Sequence, residues 1–496
     1  MSSNNTHEKG PRLNDRTTKS TERDNLGITS IQASMQDELC PVVTTVTYRA
    51  FYWPFLVWNY YDYIKKHSVE EISASSAWSD FNTNCVKKND FYFILGCMTN
   101  TEVERQNLAG VEKGEEILKN GAPYSYDKNY LQASFGGMQY YAGGIATLGF
   151  VTDHEQDATP IPGLARITES IGKPMGEAFD KVIKQTQYYK EYKDSDKPVP
   201  IEVIKELGET IRLDMVGLVE CKQLLREALF GEHRNSMYSS DNIIQSKDYL
   251  LYLHDKYGLN EKPTAYELRE MLYDWFSPRG QYQYEYPKDI RTAVKGWELV
   301  IGRQYFTTSI EIICKAMISN LEYPKTLEEI LQDTIINSDW DDIDLDEPVS
   351  RIIEECNYDF KTREEMMRIG AKETDKSCQY AIKTLFSVYN RFIKRDDINE
   401  SDLLIGEPVS IHSFIKKVDE LRDATARDLL RFIMKEWILD QNERVAFGKL
   451  LQGRDGYIFE RVENLYKSTG KQPAASFQGI RMTNLYQIIK DLDYFD

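Results

Sequence analysis

The chain has 496 residues, of which 61 are Lys or Arg and 79 are Asp or Glu, so its formal net charge is −18. Such an acidic chain is not a histone-like, generally basic nucleic-acid binder. Hydrophobic residues make up 41%, and Gly and Pro number only 28 and 16, which excludes collagen-like and low-complexity proteins. At about 150 residues per domain, the length predicts about three domains, or about two large ones.

Seven cysteines are spread along the chain without a CxxC pair, namely Cys40, Cys85, Cys97, Cys221, Cys314, Cys356 and Cys378. Because their number is odd and their spacing is wide, we expect neither a disulfide framework nor a cysteine-ligated zinc site, and we expect a cytoplasmic protein. The N-terminal residues lack the apolar core of a secretory signal. No run of about 18 apolar residues occurs, so we expect no transmembrane helix and no membrane partner.

In chain order, residues 1–25 are polar and charged and predict a disordered tail. Thr29 or Ser30 can cap a short helix, which Pro41 ends. An aromatic block over 48–63 then predicts a helix. Two interpretations of that helix stay open, because its aromatic side chains can fill a core or can form a surface on which a partner docks.

Four glycines lie inside the stretch 126–149, which ends at Gly149, namely Gly136, Gly137, Gly143 and Gly144. The stretch predicts one or two helices, in which each glycine costs about 1 kcal/mol relative to alanine. We therefore expect the glycines to let another backbone approach closely. A phosphate-binding loop is the alternative, but the GxxxxGK[ST] pattern that such a loop requires does not occur.

Residues 124–183 resemble the end of a winged-helix domain. The run Leu148-Gly-Phe-Val is followed by a polar loop at 153–163, by Arg166-Ile-Thr168 and by the start of another helix. In that family a β-hairpin wing touches the DNA backbone and a helix can enter the major groove. A second segment at 481–493 is similar to a terminal winged-helix segment. The resemblance implies either a DNA contact or a protein-docking module.

The sequence therefore predicts a mainly α, multi-domain helical protein with winged-helix-like modules and only short β-hairpins. A charged segment with two prolines at 188–200 predicts a linker. We expect the tail 1–25, an N-terminal helical domain 26–195 with the winged-helix-like segment 124–183, a central helical domain 200–345 that ends in an acidic loop, and a C-terminal helical domain 346–496 with the second winged-helix-like segment.

Acidic residues concentrate in one run. Between residues 321 and 360 there are 13 acidic and 2 basic side chains. The carboxylates expected to dock a partner are Asp339, Asp341, Asp342, Asp344, Asp346 and Glu347. The run lacks the central glycine of a hand-type calcium loop, so a metal is not predicted there. A solvated loop is the alternative to a docking surface.

The C-terminal part of the chain carries a different charge. Residues 431–496 contain 10 basic and 9 acidic side chains, so the local net charge is close to zero. If the protein contacts DNA phosphates, we expect the contact here. The candidate DNA-binding residues are Arg444, Lys449, Arg454, Arg461 and Lys467.

Asp214, Glu220 and Lys222 resemble the D…ExK arrangement of the restriction-endonuclease superfamily. The resemblance implies that the carboxylates hold Mg²⁺ and that the lysine activates the attacking water. Glu and Lys two residues apart share one side only on a strand. The apolar spacing over 207–229 instead predicts a helix, on which the two would point about 200° apart. The local conformation therefore decides this alternative.

Both ends of the chain resemble large bacterial proteins encoded in phage-defence or mobile-element loci. At the N-terminal end the similar segments are Leu26-Gly-Ile-Thr-Ser-Ile-Gln, Leu39-Cys-Pro41 and residues 45–53. At the C-terminal end they are 442–449 and 481–492. The resemblance implies a setting in phage defence. It carries no active site with it.

The leading hypothesis is a non-catalytic scaffold or sensor subunit of a bacterial anti-phage complex. We expect it to contact a protein partner, such as an ATPase or nuclease from the same operon. A DNA contact made together with that partner stays open. The alternatives are a Mg²⁺-dependent nuclease and a DNA-binding transcription regulator. No cofactor is predicted, because the six histidines form no HExxH motif and no GxSxG motif occurs.

Overall fold

The computed structural model describes residues 24–100, 108–152, 164–231, 241–274, 286–372, 374–393 and 409–495. Over these residues the protein is mainly helical, with two short antiparallel two-stranded sheets. The prediction of a mainly α protein with only short β-hairpins is confirmed. No helix of this part of the chain is both long and apolar enough to cross a bilayer.

The α-helices of the N-terminal half are α1 (Thr29–Leu39), α2 (Tyr52–Lys66), α3 (Val69–Ser73), α4 (Ala77–Asp80), α5 (Lys87–Thr99), α6 (Val111–Lys119), α7 (Ala142–Thr147), α8 (Gly172–Ile183), α9 (Ile201–Thr210), α10 (Val219–Phe230) and α11 (Asn242–Tyr257). Those of the C-terminal half are α12 (Ala265–Arg269), α13 (Arg291–Ser319), α14 (Leu327–Ile336), α15 (Val349–Glu355), α16 (Phe360–Gly370), α17 (Ser377–Phe392), α18 (Ile411–Glu420), α19 (Ala426–Phe432), α20 (Asp440–Leu450) and α21 (Arg481–Asp491). The strands are β1 (Val151–Thr152), β2 (Arg166–Ile167), β3 (Phe459–Val462) and β4 (Leu465–Ser468).

Several wider helical turns connect these helices. Phe81–Val86 winds as a π-helix and joins α4 to α5, and Ile433–Leu439 does the same between α19 and α20. Further π-helical segments are Tyr188–Tyr192 and Glu270–Asp274. Because π-helical turns often occur at functional sites, the residues next to these segments are natural places to look for one.

The chain divides into two compact units. Unit 1 takes its described residues from Met1–Met35, Arg269–Glu285 and Lys295–Gln478, and unit 2 takes its own from Gln36–Leu268, Tyr286–Val294 and Gly479–Asp496. The predicted consecutive domains 26–195, 200–345 and 346–496 do not coincide with these units. The predicted boundaries were placed where the amino-acid composition changes along the chain. Unit 2 instead joins segments that are distant in sequence, through contacts such as the ion pair of Arg49 with Asp491.

The core of unit 2 is built around the aromatic helix α2, which packs against α8. Phe51, Phe55 and Trp58 are buried, and their rings meet those of Phe93 and Phe179 at centroid distances of 4.4–6.0 Å. Aromatic residues on all sides of α2 are thus covered, because other helices surround it. Of the two interpretations of this block, the structure shows the core helix.

Two glycines set how closely α5 and α9 cross. A Cβ on Gly96 would lie 2.9 Å from the backbone nitrogen of Gly208, and a Cβ on Gly208 would lie 2.1 Å from the carbonyl oxygen of Gly96. Neither position has room for a side chain. The side-chain amide of Asn100 donates to the carbonyl oxygen of Gly208 at 2.9 Å and holds the crossing in register.

Unit 1 is organised around α13 and α17, which are buried on nearly every face. α13 shows little amphipathic periodicity, as expected of a helix that neighbours cover on every side. α16 packs against α17, and α18 packs against α17 as well. Polar residues of α13, such as Arg303, Gln304 and Thr307, are buried with the apolar ones.

Two predicted segments have other structures. The stretch 126–149 contains only the short helix α7 and a 3₁₀ turn at Gly136–Met138, so the prediction of one or two helices there is largely wrong. Gly136 has a φ of +56°, which a right-handed helix does not allow. The expected linker 188–200 is packed into unit 2, because Tyr188 is buried and Val199 pairs with Tyr124 through two backbone hydrogen bonds.

Each sheet is a single hairpin. β1 pairs with β2, with Val151 opposite Ile167, and the polar loop 153–163 between them lies outside the described residues. β3 pairs with β4, and Lys325 adds a bridge to Tyr466 on the outer edge of β4. The helix that follows this second hairpin, α21, belongs to the other unit. The winged-helix modules therefore stay a prediction.

Candidate functional site

The three residues of the nuclease-like pattern do not lie together. Asp214 is in a turn, where it accepts hydrogen bonds from the guanidinium of Arg212 at 3.0 and 2.8 Å. Glu220 and Lys222 lie in the first turns of α10, and α10 is a helix, not a strand.

Their side chains bind different partners. Glu220 is exposed and pairs with Lys181 at 2.8 Å, whereas Lys222 is buried and pairs with Asp493 at 2.7 Å. On a helix, positions two apart point to different sides. The helix therefore contradicts the alternative of a magnesium site formed by Asp214, Glu220 and Lys222.

The predicted docking carboxylates are largely engaged within unit 1. Ion pairs join Asp339 to Lys376 at 3.4 Å, Asp342 to Lys383 at 2.6 Å, Asp346 to Arg427 at 3.0 Å and Glu347 to Arg351 at 2.7 Å. Lys383 lowers the pKa of Asp342. Asp341 and Asp344 are exposed. The acidic charge of this run is thus mostly compensated inside the fold, and docking at these residues stays a prediction.

The acidic run is also tied down by its backbone. Ile343 and Leu345 are buried beneath it. The backbone nitrogen of Arg427 donates to the carbonyl oxygen of Leu345 at 3.0 Å, and that of Ala426 donates to Glu347 at 3.1 Å. The alternation of buried and exposed residues explains why a stretch so rich in aspartate takes a defined path.

The predicted DNA-binding residues lie on α20, on the turn after it and on the second hairpin. Arg444, Arg454, Arg461 and Lys467 are exposed, and Lys449 is half-buried and donates to the carbonyl oxygen of Asp24 at 2.9 Å. Residues 440–468 contain five basic and five acidic side chains. The structure thus gathers the predicted residues in one region, but that region has no excess of positive charge.

The same region exposes large apolar side chains. Phe447 is 56% exposed and Leu451 is 75% exposed, and Val462 at the tip of the hairpin is 66% exposed. Arg444, Phe447, Gly448 and Leu451 have the spacing of one helical stripe, and we call these four residues the α20 face. Two large exposed apolar side chains one turn apart make the α20 face a candidate interaction site.

The opposite side of α20 is fixed to its surroundings. The side-chain amide of Asn442 donates to the carbonyl oxygens of Asn25 and Gly456 at 2.9 and 3.0 Å, and its oxygen accepts from the backbone nitrogen of Ile458 at 3.0 Å. Ala446, one turn later, is buried. These contacts hold the helix so that the α20 face points to solvent.

A different kind of site surrounds Asp90, which is fully buried near the start of α5. Its Oδ2 accepts hydrogen bonds from the hydroxyl of Tyr130 and, at 2.9 Å, from the backbone nitrogen of Gly137. Its Oδ1 has no hydrogen-bond partner. A Cβ on Gly136 would lie 2.4 Å from Oδ2. Burial raises the pKa of Asp90 to about 6.

This arrangement explains two of the four glycines. Gly136 and Gly137 wrap the Asp90 carboxyl, Gly144 packs against Trp53, and Gly143 has open space around it. The nearest atoms to Gly144 belong to the side chains of Trp53 and Val42, and those to Gly136 and Gly137 include the Asp90 carboxylate. The expectation that another backbone approaches closely is therefore wrong at these positions. Sequence reasoning did not find Asp90, and the glycine pair was the only signal that pointed to its neighbourhood.

Three buried arginine–carboxylate pairs lie within unit 1, namely Arg269 with Glu364, Arg363 with Asp274 and Arg391 with Glu298. The ring of Tyr273 lies between two of the guanidiniums, at 4.9 and 4.7 Å from their carbon atoms. Each cation has its own carboxylate, so the group has no net charge to offer a ligand. We assign it to positioning α16 and α17 against α13 and the π-helical segment before it.

The described residues hold no cluster of metal ligands, and their buried thiols are not activated. Among the residues with described positions, no group of three His, Cys, Asp or Glu side chains could hold a metal ion. All seven cysteines are free thiols. Burial raises the pKa of Cys40, Cys85, Cys221 and Cys378 to about 12, which keeps these thiols protonated and unreactive. The α20 face is therefore the candidate functional site.

Comparisons with protein-family models, with curated proteins and with solved structures gave no match.

Proposed function

We propose that the protein is a non-catalytic binding subunit that docks a protein partner through the α20 face. The observation that carries this proposal is the exposure of Phe447 and Leu451 on one side of a helix whose other side is firmly anchored. Burying two such side chains contributes about 1.5–3 kcal/mol each to an interface.

The setting that we propose is a bacterial anti-phage complex, in which the partner is an ATPase or nuclease encoded in the same operon. This part of the proposal rests on the resemblance of the chain's two ends to proteins of phage-defence loci. One of the similar segments, 442–449, contains most of the α20 face. The resemblance and the exposed stripe thus fall on the same helix.

Contact with DNA is the second candidate function. It is favoured by the exposure of Arg444, Arg454 and Lys467 near one another in sequence and on the same helix–hairpin region. Exposed phenylalanine and leucine side chains are not needed for phosphate contacts, whereas they are typical of protein interfaces. We therefore place the protein partner first.

The experiment is co-expression of the full chain with the products of the adjacent genes, followed by purification of the complex. We expect one product to co-purify in fixed ratio, and we expect the double variant Phe447→Ser, Leu451→Ser to lose it. Val219→Ser is the matched control, because Val219 is equally exposed, at 74%, but lies on α10.

Two results contradict the proposal. One is that no adjacent product binds, or that the double variant binds as well as the native chain. The other is that the purified chain alone cleaves DNA or hydrolyses nucleotides. Because both substituted side chains are exposed, the variants are expected to fold normally.

A further inference from the structure

We infer that the partner segment seated on the α20 face is an amphipathic helix with acidic residues beside its apolar stripe. This inference rests on the proposed function and specifies the chemistry of the partner. It is carried by the charges around the α20 face, which are a separate observation from the exposure of Phe447 and Leu451.

Three of the five carboxylates between residues 440 and 468 pair with basic neighbours, whereas Glu463 next to Val462 is exposed. Asp440 pairs with Lys435 at 3.0 Å, Glu443 pairs with Arg461 at 3.7 Å, and Asp455 pairs with Lys471 at 2.9 Å. Acidic and basic residues are equal in number in this region, but fewer of the acidic ones are available to a partner.

Two arginines at the ends of the α20 face have no such partner. Arg444 donates only to the side-chain oxygen of Gln441, and Arg454 only to that of Gln452. Among the residues that the structure describes, neither guanidinium lies within ion-pair distance of a carboxylate. Among the exposed side chains of residues 440–468 that lie outside these ion pairs, Arg444, Arg454 and Lys467 are basic and Glu463 is acidic. The charge available to a partner is therefore positive in sum, and charge complementarity favours carboxylates on the partner.

The shape of the stripe fits a helix. Phe447 and Leu451 stand one turn apart, and an added Cβ at Gly448 between them would meet nothing within 4 Å. A partner helix can therefore lay its apolar residues beside Phe447 and Leu451 with its backbone close to Gly448, as in groove-bound amphipathic helices. The two arginines then face the polar flanks of that helix.

Two other occupants fit less well. The chain's own residues 1–23 contain five basic and three acidic side chains, so their net charge has the same sign as that of Arg444 and Arg454. A second copy of the chain would bring the same two uncompensated arginines to a two-fold interface, in which like charges oppose each other. Charge complementarity favours an acidic partner over both.

The test uses the full chain and a designed peptide that forms an amphipathic helix with leucines on one face and glutamates on its flanks. Binding is followed by fluorescence anisotropy of the labelled peptide. We expect the native chain to bind it at least about tenfold more tightly than the double variant Arg444→Glu, Arg454→Glu. Lys416→Glu, which reverses an exposed charge on α18 of the same unit, is the control and should bind as the native chain does.

A second peptide, with lysines in place of the glutamates, gives the reciprocal measurement. It should bind the double variant better than the native chain. Equal binding of the two peptides by the native chain would overturn the inference. So would tighter binding of duplex DNA that the double variant loses, or self-association of the native chain that competes with the peptide.

The outcomes separate this inference from the proposed function. If a natural partner is lost on Phe447→Ser, Leu451→Ser but is retained on Arg444→Glu, Arg454→Glu, the surface docks a protein and the acidic chemistry is wrong. If no partner is found and the acidic peptide fails to bind, both are wrong. Circular dichroism of each variant shows whether the chain is folded.

Discussion

Unit 2 contains two buried carboxylates with very different surroundings. Asp491 accepts hydrogen bonds from the guanidinium of Arg49 at 2.9 and 2.8 Å, from the backbone nitrogen of Ala50 at 3.0 Å and from Gln487 at 3.0 Å. Asp90 accepts from a tyrosine hydroxyl and one backbone nitrogen, and one of its oxygens has no partner.

Burial raises the pKa of both carboxylates, but the opposing influences differ. At Asp491 the positive charge of Arg49 and its hydrogen bonds oppose that rise. At Asp90 the opposition comes from the Gly137 nitrogen, the Tyr130 hydroxyl and the more distant charge of Lys87, and the pKa reaches about 6. An ionised carboxylate in the interior costs stability when no cation meets it, and removing the cation from a buried ion pair creates that cost.

The largest effect is expected when the cation at Asp491 is removed. Arg49→Met leaves Asp491 buried without a counter-charge, so we expect the free energy of unfolding to fall by about 3–5 kcal/mol. Urea denaturation measures this loss. Hydrogen exchange of the α21 amides should show the weakened region directly, because Asp491 is the last residue of α21.

The control for that variant is the double substitution Arg49→Met, Asp491→Asn, which removes both charges. It should recover part of the lost stability, since no unpaired charge is left in the interior. A single variant that unfolds at the same urea concentration as the native chain would show that Arg49 contributes no more than a surface charge.

A smaller, pH-dependent effect is expected at Asp90. Its pKa in the folded chain, about 6, lies above the ordinary value of 3.8, so the stability that it contributes is fully present below about pH 4 and is lost as the pH rises through about 6. In Asp90→Asn this loss disappears. Between about pH 4 and about pH 8, the native chain should therefore lose about 1–3 kcal/mol relative to the variant.

Urea denaturation of both proteins across this range checks the prediction at Asp90, because all other titrating groups are shared and cancel. Tyr130→Phe is a useful companion variant. It removes a hydrogen bond to the carboxylate, and the mid-point of the transition should then move to higher pH. Parallel curves for the native chain and Asp90→Asn would contradict the assignment.

The smallest effect is expected at a solvated carboxylate. Glu220→Gln breaks the exposed ion pair with Lys181, and we expect no measurable change in the urea mid-point, because such pairs contribute little. The change in stability of this variant shows how little an exposed carboxylate contributes, for comparison with the two buried ones. If the purified chain cleaved DNA with Mg²⁺ and Glu220→Gln lost that activity, the nuclease alternative would return despite the helix.

Several parts of the fold were predictable because they depend on local pattern. The apolar spacing of three and four over 207–229 correctly indicated a helix around Glu220 and Lys222. The aromatic block at 48–63 correctly indicated a core helix. In both cases hydrophobic periodicity over neighbouring residues carries the information.

Other parts were not predictable because the partners are distant in sequence. Asp90 meets Tyr130 and Gly137 from a stretch that looked helical, and the segment 188–200 looked like a linker because its charges and prolines are visible while its burial is not. The predicted basic residues were found on one surface, but the exposure of Phe447 and Leu451 beside them could not be read from a sequence in which apolar residues usually mark the core.

The sequence by itself determined that the chain is helical, has short hairpins, and separates an acidic run from a nearly neutral C-terminal region. Only the tertiary structure decided which charges are available. It pairs four of the six predicted docking carboxylates with lysines and arginines of unit 1 and leaves Arg444 and Arg454 without carboxylates. The physical reason is that formal charge is a property of each residue, whereas compensation depends on which side chains folding brings within a few ångströms.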